Sequence, residues 1–180
     1  MKWIAILALA LSPTMVIAQY QQPYAGQEAR PVKALSAEQG ADLRAGRGMG
    51  LALAAELNGY PGPLHVLEHA DALALTAPQR ASTQALYDQM KVEAVTLGEA
   101  LIAEEAALDR AFASRAITPD GLVQTTAAIG RTQAALRATH LRYHLAQVEV
   151  LTPEQMRRYA ELRGYAGPGK DGDHHPRRHH

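Results

Sequence analysis

The chain of 180 residues contains no cysteine. That removes disulfides, thiolate metal sites, thiol catalysis and covalent haem attachment together, so any metal is expected to be held through nitrogen and oxygen. Charge of one sign is also missing: 18 lysines and arginines face 18 aspartates and glutamates. No field of the whole molecule draws it to nucleic acid or to an acidic membrane. Aromatic residues make up only 5% of the chain, which suits close-packed helices better than a β-sandwich. Catalytic signatures are equally scarce. There is no His-Glu-x-x-His zinc motif and no Glu-x-x-His pair of the di-iron type, and the Gly46-Arg47-Gly48-Met49-Gly50 cluster comes after no strand that would make it a phosphate loop. The composition therefore points to a non-enzymatic helical protein.

What is present begins with a targeting pattern. Lys2 supplies a positive start, Trp3 to Leu11 an apolar run, and Val16-Ile17-Ala18 the small-residue site of a signal peptidase, which places the cut after Ala18. Ser12-Pro13-Thr14 interrupts an apolar run already shorter than the roughly 20 residues a spanning helix needs. The expectation is export to the periplasm.

Two copies of one signal organise the remainder. Leu75-Thr76-Ala77-Pro78-Gln79 and Leu151-Thr152-Pro153-Glu154-Gln155 each place a threonine to accept a hydrogen bond from the first free N–H groups of a helix. In each, a glutamine three residues on can reach back to the threonine N–H, which makes a capping box and a helix start. Pro153 adds the fixed φ favoured at the first helical position. Between the boxes an alanine- and leucine-rich run is broken once, at Ser114 to Pro119. The pattern predicts a long helix over 77–113, with Leu86, Met90, Leu97, Leu101, Leu108 and Phe112 as its stripe. A return helix starts at Thr118-Pro119, striped by Leu122, Ile129 and Leu136 and widened by Leu141, Leu145 and Val148. A final helix runs from Thr152 to Gly164.

Four segments are expected: the signal over 1–18, a flexible leader with a weak glycine-rich helix over 19–60, the helical hairpin over 61–165, and a disordered histidine-rich tail over 166–180. In the second segment Ser36-Ala37-Glu38-Gln39 is a further capping box, while Gly40, Gly46, Gly48 and Gly50 weaken the first part of the helix it opens, so that Leu51 to Leu57 is the better helix. The glycines also admit close approach of another backbone. Pro63 opens a short helix ending near Ala74.

Residues equidistant from the turn of a helical hairpin lie side by side. A turn centred between Ala116 and Ile117 brings Glu93 level with His140, and Gln89 level with His144. His140 shares a face with Leu122, Ile129 and Leu136, and Glu93 falls within the stripe of its own helix, so an acid and a histidine pair face one another. His65 and His69 repeat the four-residue spacing on the short helix. Two imidazoles so spaced can reach one ion, and His65, His69, Glu93, His140 and His144 together would suit Zn, Ni, Co or Cu(II). The plain reading is that such pairs occur by chance in alanine-rich helices and are simply hydrogen-bonded. The tail histidines, His174, His175, His179 and His180, either load metal weakly or end the chain in solvent.

The paired Leu-Thr-x-x-Gln boxes around an alanine-, leucine- and glutamate-rich hairpin, behind a signal and without cysteine, resemble the Spy/CpxP superfamily of periplasmic stress proteins and its heavy-metal resistance branch. The resemblance covers about 61–165. It implies an all-α, four-helix hooked hairpin built on a long antiparallel pair, here with an extra N-terminal helix, assembled as a homodimer and without enzymatic activity. The metal-sensing branch carries His-x-x-x-His on its first helix, a glutamate on its second and His-x-x-x-Met near the end of its third. His65 and His69 match the first element. His140 and His144 resemble the last with histidine in place of methionine, while the glutamate has no unique counterpart, a strict alignment falling near Tyr87 and Asp88. The resemblance thus implies metal sensing, buffering or resistance, with a membrane-bound sensor as a partner. The chaperone branch implies the alternative, an ATP-independent holdase for unfolded clients. The glycine-rich segment has no place in the family pattern.

Overall fold

A computed structural model describes residues 24–165. The signal over 1–18 and the histidine tail lie outside the described residues. The described chain is all-helical, with α1 (Ala37–Ala45), α2 (Leu53–Glu56), α3 (Pro63–Glu68), α4 (Ala77–Ala113), α5 (Pro119–Val148) and α6 (Pro153–Leu162). Among the described residues there is no strand, and no helix is long and apolar enough to cross a membrane.

Helices start where the capping chemistry dictates. Ser36, Thr76 and Thr152 each accept from the N–H of the glutamine three residues on, and each glutamine side chain accepts in return from the N–H of the capping residue. Thr118 caps α5 through the Gly121 N–H, with Pro119 as the first helical residue. Regular α3 stops at Glu68, short of the expected Ala74, but turns continue to a closure in which Ala74 takes a left-handed φ of 50° and the Leu75 N–H donates to the Ala70 carbonyl.

Around Gly46 the order of helix strength is the reverse of the expected one. The glycine-weakened stretch forms the nine-residue α1, whereas only four residues of Leu51 to Leu57 form α2. Docking decides this rather than propensity. Leu43 is buried on α4, and its backbone lies so close to Gly98 that a Cβ there would stand 2.4 Å from the Leu43 carbonyl oxygen. Of the glycines that the sequence singles out, Gly46 does lie against another backbone, at the Lys91 carbonyl, but the tightest approach is at Gly98 in α4, which is not among them.

The two long helices pack side by side and antiparallel, since Thr83 meets Gln147, Glu93 meets Tyr143 and Glu104 meets Thr132. Toward the interhelical turn the seam is apolar, with Leu43, Ala94, Leu101, Ile102, Ile129 and Leu136 in one cluster. The expected stripes hold only in part. Phe112 (53% exposed), Leu122 (37%) and Leu145 (57%) lie open. The first two sit at the turn end, beyond the reach of α1. Leu145 loses its place because α5 buries Thr139, Tyr143 and Gln147 instead.

At the other end the two boxes meet. Leu75 and Leu151 are buried in one cluster with Val66, Leu73 and Tyr159. Gln79 Nε2 donates to Gln155 Oε1 at 2.8 Å, Gln155 Nε2 donates to Gln79 Oε1 at 3.1 Å, and the same amides reach the carbonyls of Val150 (2.9 Å) and Leu73 (3.2 Å). Each glutamine thus closes its own cap and ties the two helix starts together.

This packing can be tested at two places. Gly98→Ala should destabilise by about 1–3 kcal/mol despite alanine's better helix propensity, because α1 has to shift. Gly130→Ala, where a Cβ meets nothing within 4 Å, should instead stabilise, by up to about 1 kcal/mol. Urea unfolding of both variants checks the pair, and equal stabilisation would mean that α1 does not dock on α4. For the boxes, Gln79→Ala and Gln155→Ala should each cost about 1–3 kcal/mol. Their double-mutant cycle should show coupling of at least about 0.5 kcal/mol, whereas strict additivity would deny the amide pair.

Candidate functional site

Away from the turn, the buried face of α5 changes character. Ile129 and Leu136 give way to Thr139, His140, Tyr143, His144 and Gln147, all buried. Buried polar groups are costly unless hydrogen-bonded. Most of these are: Gln147 Nε2 donates to Thr83 Oγ1 at 3.1 Å, Tyr143 donates to Glu93 at 2.7 Å, and His144 Nδ1 lies 2.7 Å from the Tyr60 carbonyl. A carbonyl only accepts, so Nδ1 of His144 carries a proton, which leaves Nε2 as the nitrogen without a hydrogen bond.

Glu56, at the end of α2, is the buried acid of this region, at 6% exposure. Its Oε1 accepts from the hydroxyls of Tyr159 and, at 3.2 Å, Tyr165, and Arg163 Nε lies 3.4 Å away. Its Oε2 stands 3.7 Å from His144 Nδ1, too far for a hydrogen bond. Burial, then the hydrogen bond to Glu56, pushes the Tyr159 phenol well above its ordinary value. The hydroxyl therefore stays protonated and serves the carboxylate as a donor.

His140, His144, Glu56, Arg163 and Tyr165 border a cavity of about 380 Å³ between the glycine segment, the start of α3 and the α4–α5 seam. Gly62 and Gly48 shape it. A Cβ at Gly62 would stand 2.8 Å from His144 Nε2, and one at Gly48 would stand 3.7 Å from His140 Nδ1. Between Gly48 and Gly50 the chain holds Met49 at a φ of 43°, a left-handed conformation that side-chain-bearing residues seldom adopt. Both Met49 and the buried Met90 line the cavity. Among the described residues five buried side-chain atoms lack a hydrogen-bond partner, and three of them belong to residues of this one cavity: Glu56 Oε2, His140 Nε2 and Arg163 Nε. Such a concentration marks a place built to receive something polar.

The five residues expected to form a metal site are only partly brought together. His140 and His144 share the cavity as anticipated, and His65 lines its rim, with its Nδ1 engaged at 2.9 Å by Glu68. His69 does not line it and packs edge-on against Tyr159 at 6.4 Å. Glu93 does not face His140. It meets Tyr143 and Arg142, about one turn further along α5, because a hydroxyl and a guanidinium there satisfy the carboxylate outside the cavity. The acid beside the histidines is Glu56, which no helical spacing relates to them. Among the described residues no group of three or more His, Cys, Asp or Glu side chains is placed to hold one ion. Sequence reasoning missed Glu56, Met49, Met90 and Arg163. The only signal available was the unexplained glycine cluster that frames Met49.

Burial, with the neighbouring His144 second, lowers the His140 pKa below the ordinary histidine value near 6.5. In the metal-free protein the unfolded chain then takes up a proton on this ring at a higher pH than the folded chain does. Stability should fall as pH drops through about 6.5, the unfolded value, and this contribution should level off once the folded ring also protonates. His140→Leu should flatten that part of the curve in urea unfolding between pH 7 and 5. An unchanged slope would place the ring in contact with water.

Comparison of the chain with family models, with curated proteins and with solved structures returns no match.

Proposed function

We propose that this is an exported, non-catalytic protein that binds a transition-metal ion through His140 and His144, serving metal sensing, buffering or resistance in the periplasm. The observation that carries the reading is the state of the two rings. His140 is buried, held neutral and has no partner for Nε2, while the Tyr60 carbonyl fixes the proton of His144 on Nδ1 and frees its Nε2. A hydrogen bond that orients one ring nitrogen of a histidine is the usual support for metal binding at the other. The rings are one helical turn apart and border one cavity.

The wider reading rests on the resemblance to the Spy/CpxP superfamily. The meeting of the two Leu-Thr-x-x-Gln boxes supports a hooked hairpin, in which α3 and α6 fold back over the open end of α4 and α5. Metal bound between α5 and the segment joining α2 to α3 would favour the closed hook by linkage, which is how occupancy would be passed to a membrane-bound sensor or a homodimer partner. One observation favours the holdase alternative: Phe112, Leu122 and Val123 expose apolar surface around the interhelical turn.

The test uses the full chain with His174, His175, His179 and His180 changed to glutamine. Zn²⁺, Ni²⁺ and Cu²⁺ are titrated by calorimetry, and Cu⁺ anaerobically by chelator competition. About one ion per chain at micromolar affinity or better is expected for at least one of them. It should be lost in His140→Ala/His144→Ala. If that variant binds every ion as the parent does, the metal reading fails. Suppression of client aggregation that depends on Phe112 and Val123 would then give the holdase reading the lead.

A further inference from the structure

Two histidines do not complete a site for a divalent ion, and the cavity lacks what such an ion would need. No third histidine or carboxylate among the described residues converges with His140 and His144. The one carboxylate bordering the cavity, Glu56, is already hydrogen-bonded by Tyr159 and Tyr165 and opposed by Arg163. Arg47 borders the cavity as well, but it is exposed and paired with Asp42 at 2.6 Å, so Arg163 is the guanidinium that Glu56 already balances there. A divalent ion would add two further positive charges to a partly dry space without any balancing anion from the protein.

What the cavity does offer is neutral and soft. Of the three methionines in the described residues, Met49, Met90 and Met156, two border this cavity. Met90 presents its side chain from the buried face of α4. Met49 is held in a left-handed backbone between two glycines, and the preceding Gly48 lies against the His140 ring. Backbone strain of this kind persists only where the surrounding structure imposes it, and it clusters at functional sites. The glycine segment that the hairpin pattern leaves unexplained thus brings Met49 to the cavity that the His140 ring borders.

Resting on the metal reading above, we propose that the ion is a soft monovalent one, Cu⁺ or Ag⁺, held by His140 and His144 together with the thioethers of Met49 and Met90. Imidazole and thioether are the neutral donors that soft d¹⁰ ions prefer, and a single charge adds least to a pocket whose one carboxylate is already taken up by Arg163 and two tyrosines. Met49, 42% exposed on its loop, would close the site from the solvent side, and the buried Met90 would reach it from α4.

The experiment uses the full chain with the four tail histidines changed to glutamine, and compares it with Met49→Leu/Met90→Leu and with His140→Ala. Cu⁺ affinity is read by competition with bicinchoninate under anaerobic, reducing conditions, Ag⁺ and Zn²⁺ affinity by calorimetry. Leucine is close to methionine in volume, so the fold should be retained. The double methionine variant should lose at least about 100-fold in Cu⁺ and Ag⁺ affinity, while Zn²⁺ binds weakly to parent and variant alike. X-ray absorption of the Cu⁺-loaded parent should show sulfur beside nitrogen in the first coordination sphere, a readout that does not depend on any variant folding. A first sphere without sulfur, or Cu⁺ affinity lost in His140→Ala but untouched by the methionine changes, overturns the soft-ion proposal and leaves the histidine site standing. Ion binding indifferent to His140→Ala removes both.

Discussion

A pair of side-chain amides holds the open end of this molecule together. Gln79 and Gln155 each close a capping box on their own helix through the amide oxygen, and each has two N–H donors and one acceptor site to spare. Those spare groups face each other, and the carbonyls of Leu73 and Val150 take up the rest. The start of α6 is thereby fixed beside the start of α4. From that anchor, α6 carries Tyr159 and Arg163 to Glu56, which ties the end of α2 to α6 beside the cavity. Loss of the amide contact would loosen both α6 and the wall of the cavity.

The hairpin divides into an end built for stability and an end built for something else. Near the turn the seam is apolar and is sealed by Leu43 of α1. Near the open end α5 buries histidines, a glutamine and a tyrosine where leucines would have been cheaper to pack. Most of these groups find partners, which limits the penalty. Of the two on α5 that do not, Gln147 Oε1 lies away from the cavity, whereas His140 belongs to the cavity that Met49 and Met90 also line. A chain selected for packing alone would have filled that space.

Much of the helical layout was legible. The boxes at Ser36, Thr76 and Thr152 and the Thr118-Pro119 start all act as read, because capping is local chemistry within four residues. The site was legible by halves. His140 and His144 stand on one helix at a spacing that guarantees their proximity, whereas Glu93 was assigned by counting from the turn, a method blind to the roughly 60° by which His140 and Tyr143 differ in direction around the helix. Glu56 and Met49 come from a segment with little periodicity of its own, so no pattern could place them.

The helix starts, the all-helical class and the pairing of His140 with His144 were therefore written into the chain before any tertiary contact formed. Each arises from interactions spanning a few residues, or from the fixed pitch of a helix. Three other features came from tertiary packing alone: the seating of α1 at Gly98, the clasp between the two glutamines, and the gathering of Glu56, Met49 and Met90 around the histidines. These contacts join residues far apart along the chain, and they depend on how rigid helices cross rather than on how each one forms.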